Sequence, residues 1–505
     1  MRFARATGAT VVLAAVCAFA AEAPTTAASP TQVPRDAPST PAGTSNWPSP
    51  NADLSNSRQA TGSAITADTV SGLASAWQVP ARTALPTSPV IVDGSVYIED
   101  GSGQVFRIDL ASGKTIWKTI PQGQSVGPLG VAVGFGKVFG TNGTSLFALN
   151  ATTGWKLWTR RLTHTTTDGV DVQPQIIGNE VIVSSVPVGL KGYYKGGNRG
   201  FIDAVNQSTG AIDWSFDTVA SPNLWGNPAV NSGGGSWYPP SYLPSLGLVY
   251  VGVANPAPFV GTTQYPNGSS RPGPNLYTDS TVALRLSNGQ LVWYHQATPH
   301  DLFDRDFVHT MVVKLPGSYR SVVVGTGKGG VVIGMNPTTG KALWQTPVGI
   351  HQNDNLTALA GPTTIYPGTF GGVLTPPASA DGQVYVATLN APTKLYPDQV
   401  EYFGGTVGTM PGEVVVIDAA TGRKLWDTKV SGDPTGGTTV VNDLVLTATL
   451  QGTIYALSRT TGKIVWQMQA PGGINGWMSV SGNTIIVPVG ATTKPVIWAV
   501  RLPSS

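Results

Sequence analysis

Along most of this chain, apolar runs of strand length end in a polar turn containing glycine, and a tryptophan follows four residues after that glycine. The clearest copy is VVVIDAATGRKLW, residues 414–426. Its apolar run predicts a strand, the polar residues up to Gly422 a tight turn, and the segment beyond a second strand carrying Trp426. Glycine suits such a turn because it takes a positive φ that a Cβ would oppose. The pattern recurs at Gly113/Trp117, Gly154/Trp158, Gly210/Trp214, Gly289/Trp293, Gly340/Trp344, Gly422/Trp426 and Gly462/Trp466. An irregular eighth pair, Gly72 and Trp77, precedes the first by one short repeat. Hairpins repeated at roughly 40 to 80 residues cannot bury their faces alone. Radial stacking solves that problem, so the pattern predicts an all-β propeller.

Length and composition refine this picture. The repeat array runs from Trp47 to Leu502, which predicts that 47–505 form one closed body rather than several domains. Only 11% of residues are charged, and the formal net charge is +3. No lysine and arginine block or basic-aromatic stripe is present, which argues against a nucleic-acid partner. The start, Met1 to Arg5, is basic, residues 6–20 are apolar, and Ala18-Phe19-Ala20 offers a cleavage site. Residues 1–20 therefore read as a secretory signal peptide, and the protein is expected outside the cytoplasm. The one cysteine, Cys17, falls inside that leader, which leaves the mature chain no disulfide and no CxxCH haem attachment. Val16 and Ala14 are poor residues for a lipidation site, so a lipid anchor is not expected. Residues 21–46, rich in Pro, Thr, Ala and Ser, read as a disordered linker. No later segment is long and apolar enough to span a bilayer as a helix. A closed propeller protects its own strand edges, and a monomer is expected.

Three segments carry candidate chemistry: SWYPPSYLPSLGLVYVGVANPAPF at 236–259, WYHQATPHDLFDRDF at 293–307, and KGGVVIGMNPTTG at 328–340. Together with the repeats, they resemble the pyrroloquinoline quinone (PQQ) dehydrogenases and their relatives, a family of eight-bladed β-propellers with tryptophan-docking repeats. The likeness covers nearly everything after residue 46. It implies that Trp237 forms the floor on which PQQ stacks, that Asn255 is a metal ligand through its amide oxygen, and that Asp304 is the catalytic base. Asp304 would also touch the metal, with Asp306 as the extra carboxylate of lanthanide-using members, and Lys328 would contact the redox carbonyls of the quinone. The residue types suit those tasks. A flat tricyclic cofactor needs an aromatic face, and a calcium or lanthanide ion takes hard oxygen ligands. A carboxylate can accept the hydroxyl proton of an alcohol, and an ammonium can stabilise charge on the quinone. For two carboxylates two residues apart to meet at one ion, the chain must turn between them. His300 belongs to the TPHD stretch and reads as structural.

The chain also departs from the family pattern. The main metal carboxylate of the family lies before an R-G-x-x-x-A start, here Arg199-Gly200 and Ala204, yet residues 181–202 contain no Asp or Glu. Lys195 occupies the slot, and its ammonium could replace the cation. Leu129, Leu374 and Thr375 stand where polar or aromatic quinone contacts are usual, and the vicinal cysteine pair of many members is absent. Two functions stay open. One is an exported PQQ-dependent dehydrogenase acting on an alcohol or sugar, small or polymeric, which passes electrons to an external acceptor such as a cytochrome c. The other is a non-catalytic envelope or extracellular propeller, a binding scaffold with a degenerate site.

Overall fold

The computed structural model describes residues 46–503, apart from 126, 165–166, 188–194, 319 and 399–409. The expected signal peptide and almost all of the linker lie outside the described residues. Among the described residues the chain forms eight antiparallel sheets with four strands in a common up-and-down order, one of them extended by a short fifth strand, Gln59–Ala60. The first runs from Val90–Val92 to Thr115–Lys118, and the fifth from His309–Lys314 to Ala342–Pro347. First strands of neighbouring sheets touch one another, as 241–243 touches 309–314 and 378–380 touches 438–441. Burial falls from the axis outward. The second strand of the first sheet, Ser95–Glu99, is buried throughout, whereas the outer strand Lys156–Arg161 is almost wholly exposed. Among the described residues, no helix is long and apolar enough to cross a membrane.

The glycine and tryptophan pattern turns out to join sheets rather than only to build hairpins. Each tryptophan from Trp77 to Trp426 in the series lies against the turn glycine of the next sheet: a Cβ on Gly340 would stand 2.3 Å from the ring of Trp293, and one on Gly422 would stand 2.7 Å from Trp344. Both glycines also hold a positive φ, +70° and +76°, so a side chain there is opposed by backbone and by neighbour. The indole N–H of Trp293 donates to the carbonyl of Pro337 at 2.8 Å, and that of Trp344 to Ala419 at 2.9 Å, both acceptors lying three residues before the docking glycine. Trp77, Trp117, Trp214 and Trp426 repeat the bond. The irregular pair Gly72/Trp77 differs. Its tryptophan docks on Gly113 of the first sheet, but its strand, Ala74–Pro80, pairs with Val496–Arg501 at the far end of the chain. The ring is thus sealed by a non-covalent pairing of its first and last long strands.

The segment from Trp47 to Ala60 forms a hub at the axis. Trp47 pairs with Ile91 of the first sheet. The carbonyls of Leu54, Ser55, Ser57 and Arg58 then accept N–H bonds from Tyr242, Val312, Ser379 and Val440, which belong to the first strands of the fourth to seventh sheets in order. Arg58 is fully buried and donates to the carbonyls of Thr438 and Met478, to Asn51 Oδ1 and to the Thr439 hydroxyl, at 2.7–3.0 Å. Burial lowers its guanidinium pKa to about 9, which leaves it charged at neutral pH.

Candidate functional site

The five sequence-derived residues come from three separate segments and meet beside the fourth and fifth sheets. Trp237 lies just before the first strand of the fourth sheet, Ser241–Leu243, and Asn255 follows its second strand, Leu248–Gly252. Asp304 and Asp306 lie in the crossing to the fifth sheet, and Lys328 sits in its turn between Ser321–Thr326 and Val331–Met335. All five are buried, at 2–8% exposure, so the aspartates are not carried on a solvated loop.

The crossing is shaped locally. Asp301 accepts the backbone N–H groups of Phe303 and Arg305 at 2.7 and 2.8 Å, folding the loop over its own carboxylate. Asp304 and Asp306 then take positive φ values of 62° and 38°, which bring both carboxylates to one side. Gly327 lets the strands close on this turn, since a Cβ there would stand 1.8 Å from the carbonyl oxygen of Asp306. The carboxylates converge on the Lys328 ammonium, at 2.7 Å from Asp304 Oδ2 and 2.5 Å from Asp306 Oδ2. The other oxygen of Asp306 accepts the Asn255 backbone N–H at 2.9 Å. The same ammonium lies 5.2 Å from the Trp237 ring centroid, within cation–π range.

Burial dominates the electrostatics. It pushes the Asp304 carboxyl up to about 7, against the pull of Lys328 and with a further upward push from Asp306. Burial works against the Lys328 ammonium, but the charges of Asp304 and Asp306 outweigh it and raise its pKa. Two carboxyls that the motifs did not single out stand close by. Asp171 and Asp279 are both held well above the usual carboxylate range, first by burial and then by like charges that include Asp306. Neither oxygen of Asp279 has a hydrogen-bond partner among the described residues.

Below Trp237 an aromatic stack continues inward. Tyr238 lies 4.9 Å from Trp237, 5.1 Å from Trp477 and 4.0 Å from His309, ring centre to ring centre. The Tyr238 hydroxyl donates to the carbonyl of Leu374 at 2.7 Å, so the residue found in place of a quinone contact here braces the floor. Leu129 is fully buried and Thr375 nearly so, whereas Lys195 is exposed. Tyr238 lies inside the 236–259 motif without being singled out there, and His309, Trp477, Asp171 and Asp279 fall outside the three motifs and come near it only in the fold. Their one sequence signal is polar or aromatic character at strand ends facing the axis.

The site suits a flat anionic cofactor better than it suits a metal ion. Trp237 offers an aromatic face with a cation beside it, and the cluster around it contains a buried donor, Trp477 Nε1, that has no acceptor among the described residues. By contrast, Asp304 Oδ2 and both Asp306 oxygens already bind Lys328 and the Asn255 N–H. Among the described residues no group of three His, Cys, Asp or Glu side chains is arranged to hold a metal.

Comparison with known proteins places this geometry. Residues 411–500 match the profile described as outer membrane protein assembly factor BamB. Quinohemoprotein alcohol dehydrogenase ADH-IIG of Pseudomonas putida is 29% identical over 305 residues, 54% of this chain and 41% of that protein. Quinohemoprotein alcohol dehydrogenase of Comamonas testosteroni is 28% identical over 407 residues, 70% of this chain and 56% of that protein. The chain thus spans about half the length of these curated relatives. The crystal structure of the Comamonas testosteroni enzyme superposes with a TM-score of 0.77 at 22% identity, over 91% of this chain and 82% of that one, which shows the shared fold. Residues 47–134 and 166–350, more than half of the chain, match the profile described as glucose/ethanol/alcohol dehydrogenase, beta-propeller domain, and the chain belongs to this family of PQQ β-propellers.

Proposed function

We propose that the protein is an exported quinoprotein dehydrogenase that oxidises an alcohol or sugar, with PQQ lying on Trp237 and Asp304 acting as base. One observation carries the reading: Asp304, Asp306 and Lys328 converge in a buried cluster against the face of Trp237. When bound, PQQ supplies the two-electron acceptor for the hydride that leaves the carbinol carbon. Asp304 takes the hydroxyl proton of the same substrate, and its raised pKa makes it a stronger base than a solvated aspartate. Lys328 holds Asp304 in place through a 2.7 Å ion pair and presents positive charge at the aromatic face. The names of the relatives support an alcohol as substrate, and an external cytochrome-type acceptor would carry the electrons away.

A second reading, a binding scaffold without turnover, is favoured by Leu129, Leu374 and Thr375, whose side chains cannot repeat polar quinone contacts. Titration of the purified protein with PQQ, followed by tryptophan quenching and quinone absorbance, separates the two. Saturable binding, followed by reduction of an artificial acceptor on addition of alcohol and loss of that reduction in Asp304→Asn, is expected. Absence of PQQ binding overturns the dehydrogenase and leaves the scaffold.

A further inference from the structure

We infer that the Lys328 ammonium stands in the place of a divalent or trivalent cation, so that this family member binds its quinone without a metal ion. The inference rests on the reading that the face of Trp237 takes PQQ. Its support is the assignment of individual oxygen atoms. Asp304 Oδ2 and Asp306 Oδ2 both lie within 2.7 Å of one ammonium nitrogen, so a cation bridging the two carboxylates at these oxygens would meet Lys328. The remaining Asp306 oxygen is held by the Asn255 backbone. The Asn255 side-chain amide donates to the carbonyl of Pro256 at 3.0 Å, which fixes the orientation of the group expected to offer a ligand oxygen.

Charge balance points the same way. A lysine side chain is buried beside two carboxylates only when their attraction offsets the desolvation of all three groups. Lys328 is 6% exposed and so close to both aspartates that no second cation can share the same oxygens without displacing it. The segment 181–202, in which the family pattern places a further anionic ligand, contains no Asp or Glu at all. A site that lacks one anionic ligand, and whose two remaining carboxylates are bridged by an ammonium, has lost much of the donor set of a hard cation. The ammonium keeps a positive charge next to the aromatic face, where the family relies on an ion.

The test uses terbium(III), whose emission is sensitised by a nearby indole. An ion in the ammonium position would lie about 5 Å from the Trp237 ring, well within transfer range. The full chain is expected to show no saturable emission, and PQQ quenching should be the same with EDTA as with added Ca²⁺ or La³⁺. Lys328→Ala should gain saturable terbium emission, with affinity tighter than the parent by about 30-fold or more, since two adjacent carboxylates are released. Lys328→Ala combined with Asp306→Asn should lose that gain, and Lys328→Arg should stay dark. Emission from the unmodified protein that weakens in Asp306→Asn overturns the inference, as does PQQ binding that requires an added ion. If circular dichroism shows that Lys328→Ala is unfolded, the parent and Lys328→Arg measurements decide alone. Failure of PQQ to bind under any condition removes the dehydrogenase reading, while the terbium measurements still decide what occupies the space between the aspartates.

Discussion

Asp304 and Asp306 share one ammonium because both residues accept a backbone conformation that favours glycine. A loop so constrained makes the protonation of Asp304 a sensitive quantity. Since burial sets its carboxyl near 7, kcat/KM for alcohol oxidation should rise with pH through about 7 as the base loses its proton, and a pH–rate profile checks this. Asp304→Asn should lower kcat by about 10²–10⁴-fold. Asp279 invites a different measurement. Its carboxyl is fully buried with neither oxygen bonded, and burial raises its pKa. The folded state therefore retains a proton that the unfolded chain releases above about pH 4, and the stability this carboxyl contributes declines as pH rises. Asp279→Asn should thus raise the unfolding midpoint at pH 8 and change it little at pH 4, as measured by thermal denaturation. At this scale the sequence was informative where chemistry is contiguous. Trp237, Asn255, Asp304, Asp306 and Lys328 lie within recognisable strings, and the structure gathers them. Asp279 sits in an unremarked stretch, TDST, and nothing in local pattern reports that its carboxyl faces inward without a partner.

The repeated element is the hairpin, and its glycine does two jobs that the sequence presents as one. Positive φ was legible from the turn composition. The docking of the preceding sheet's tryptophan on the same atom was not, because a pattern along the chain does not say which neighbouring unit a side chain reaches. The two contributions can be separated by comparing two substitutions. Gly340 and Gly94 have nearly equal φ, +70° and +69°, but a Cβ would meet Trp293 at the first and nothing within 4 Å at the second. Gly94→Ala should cost the strain of the left-handed backbone alone, about 1–2 kcal/mol. Gly340→Ala should cost about 1–3 kcal/mol more through overpacking, and urea unfolding of both variants checks the difference. Trp158 marks an exception within the series, since its indole N–H is buried without a partner while six others donate to a turn carbonyl.

The whole molecule depends on two connections that no repeat encodes. One is the pairing of Ala74–Pro80 with Val496–Arg501; the other is the hub at 47–60. The sequence placed Trp47 at the start of the folded body but assigned no element or role to Asn51–Arg58, which carry no strand periodicity. Arg58 shows how much the body relies on them. Replacing it with methionine removes donors from two buried carbonyls, the Thr439 hydroxyl and Asn51. Arg58→Met should lower stability by about 3–5 kcal/mol and do so cooperatively, with one unfolding transition seen by fluorescence and by circular dichroism.

The hub also sets an order of events in time. Its residues are synthesised before any sheet, yet its last bonding partner, Met478, emerges 420 residues after Arg58. Until then its seat is incomplete. The first part of the body to be made is therefore among the last to be fixed. A protease acting during synthesis should cut this stretch readily, while the same protease acting on the finished ring should leave it whole.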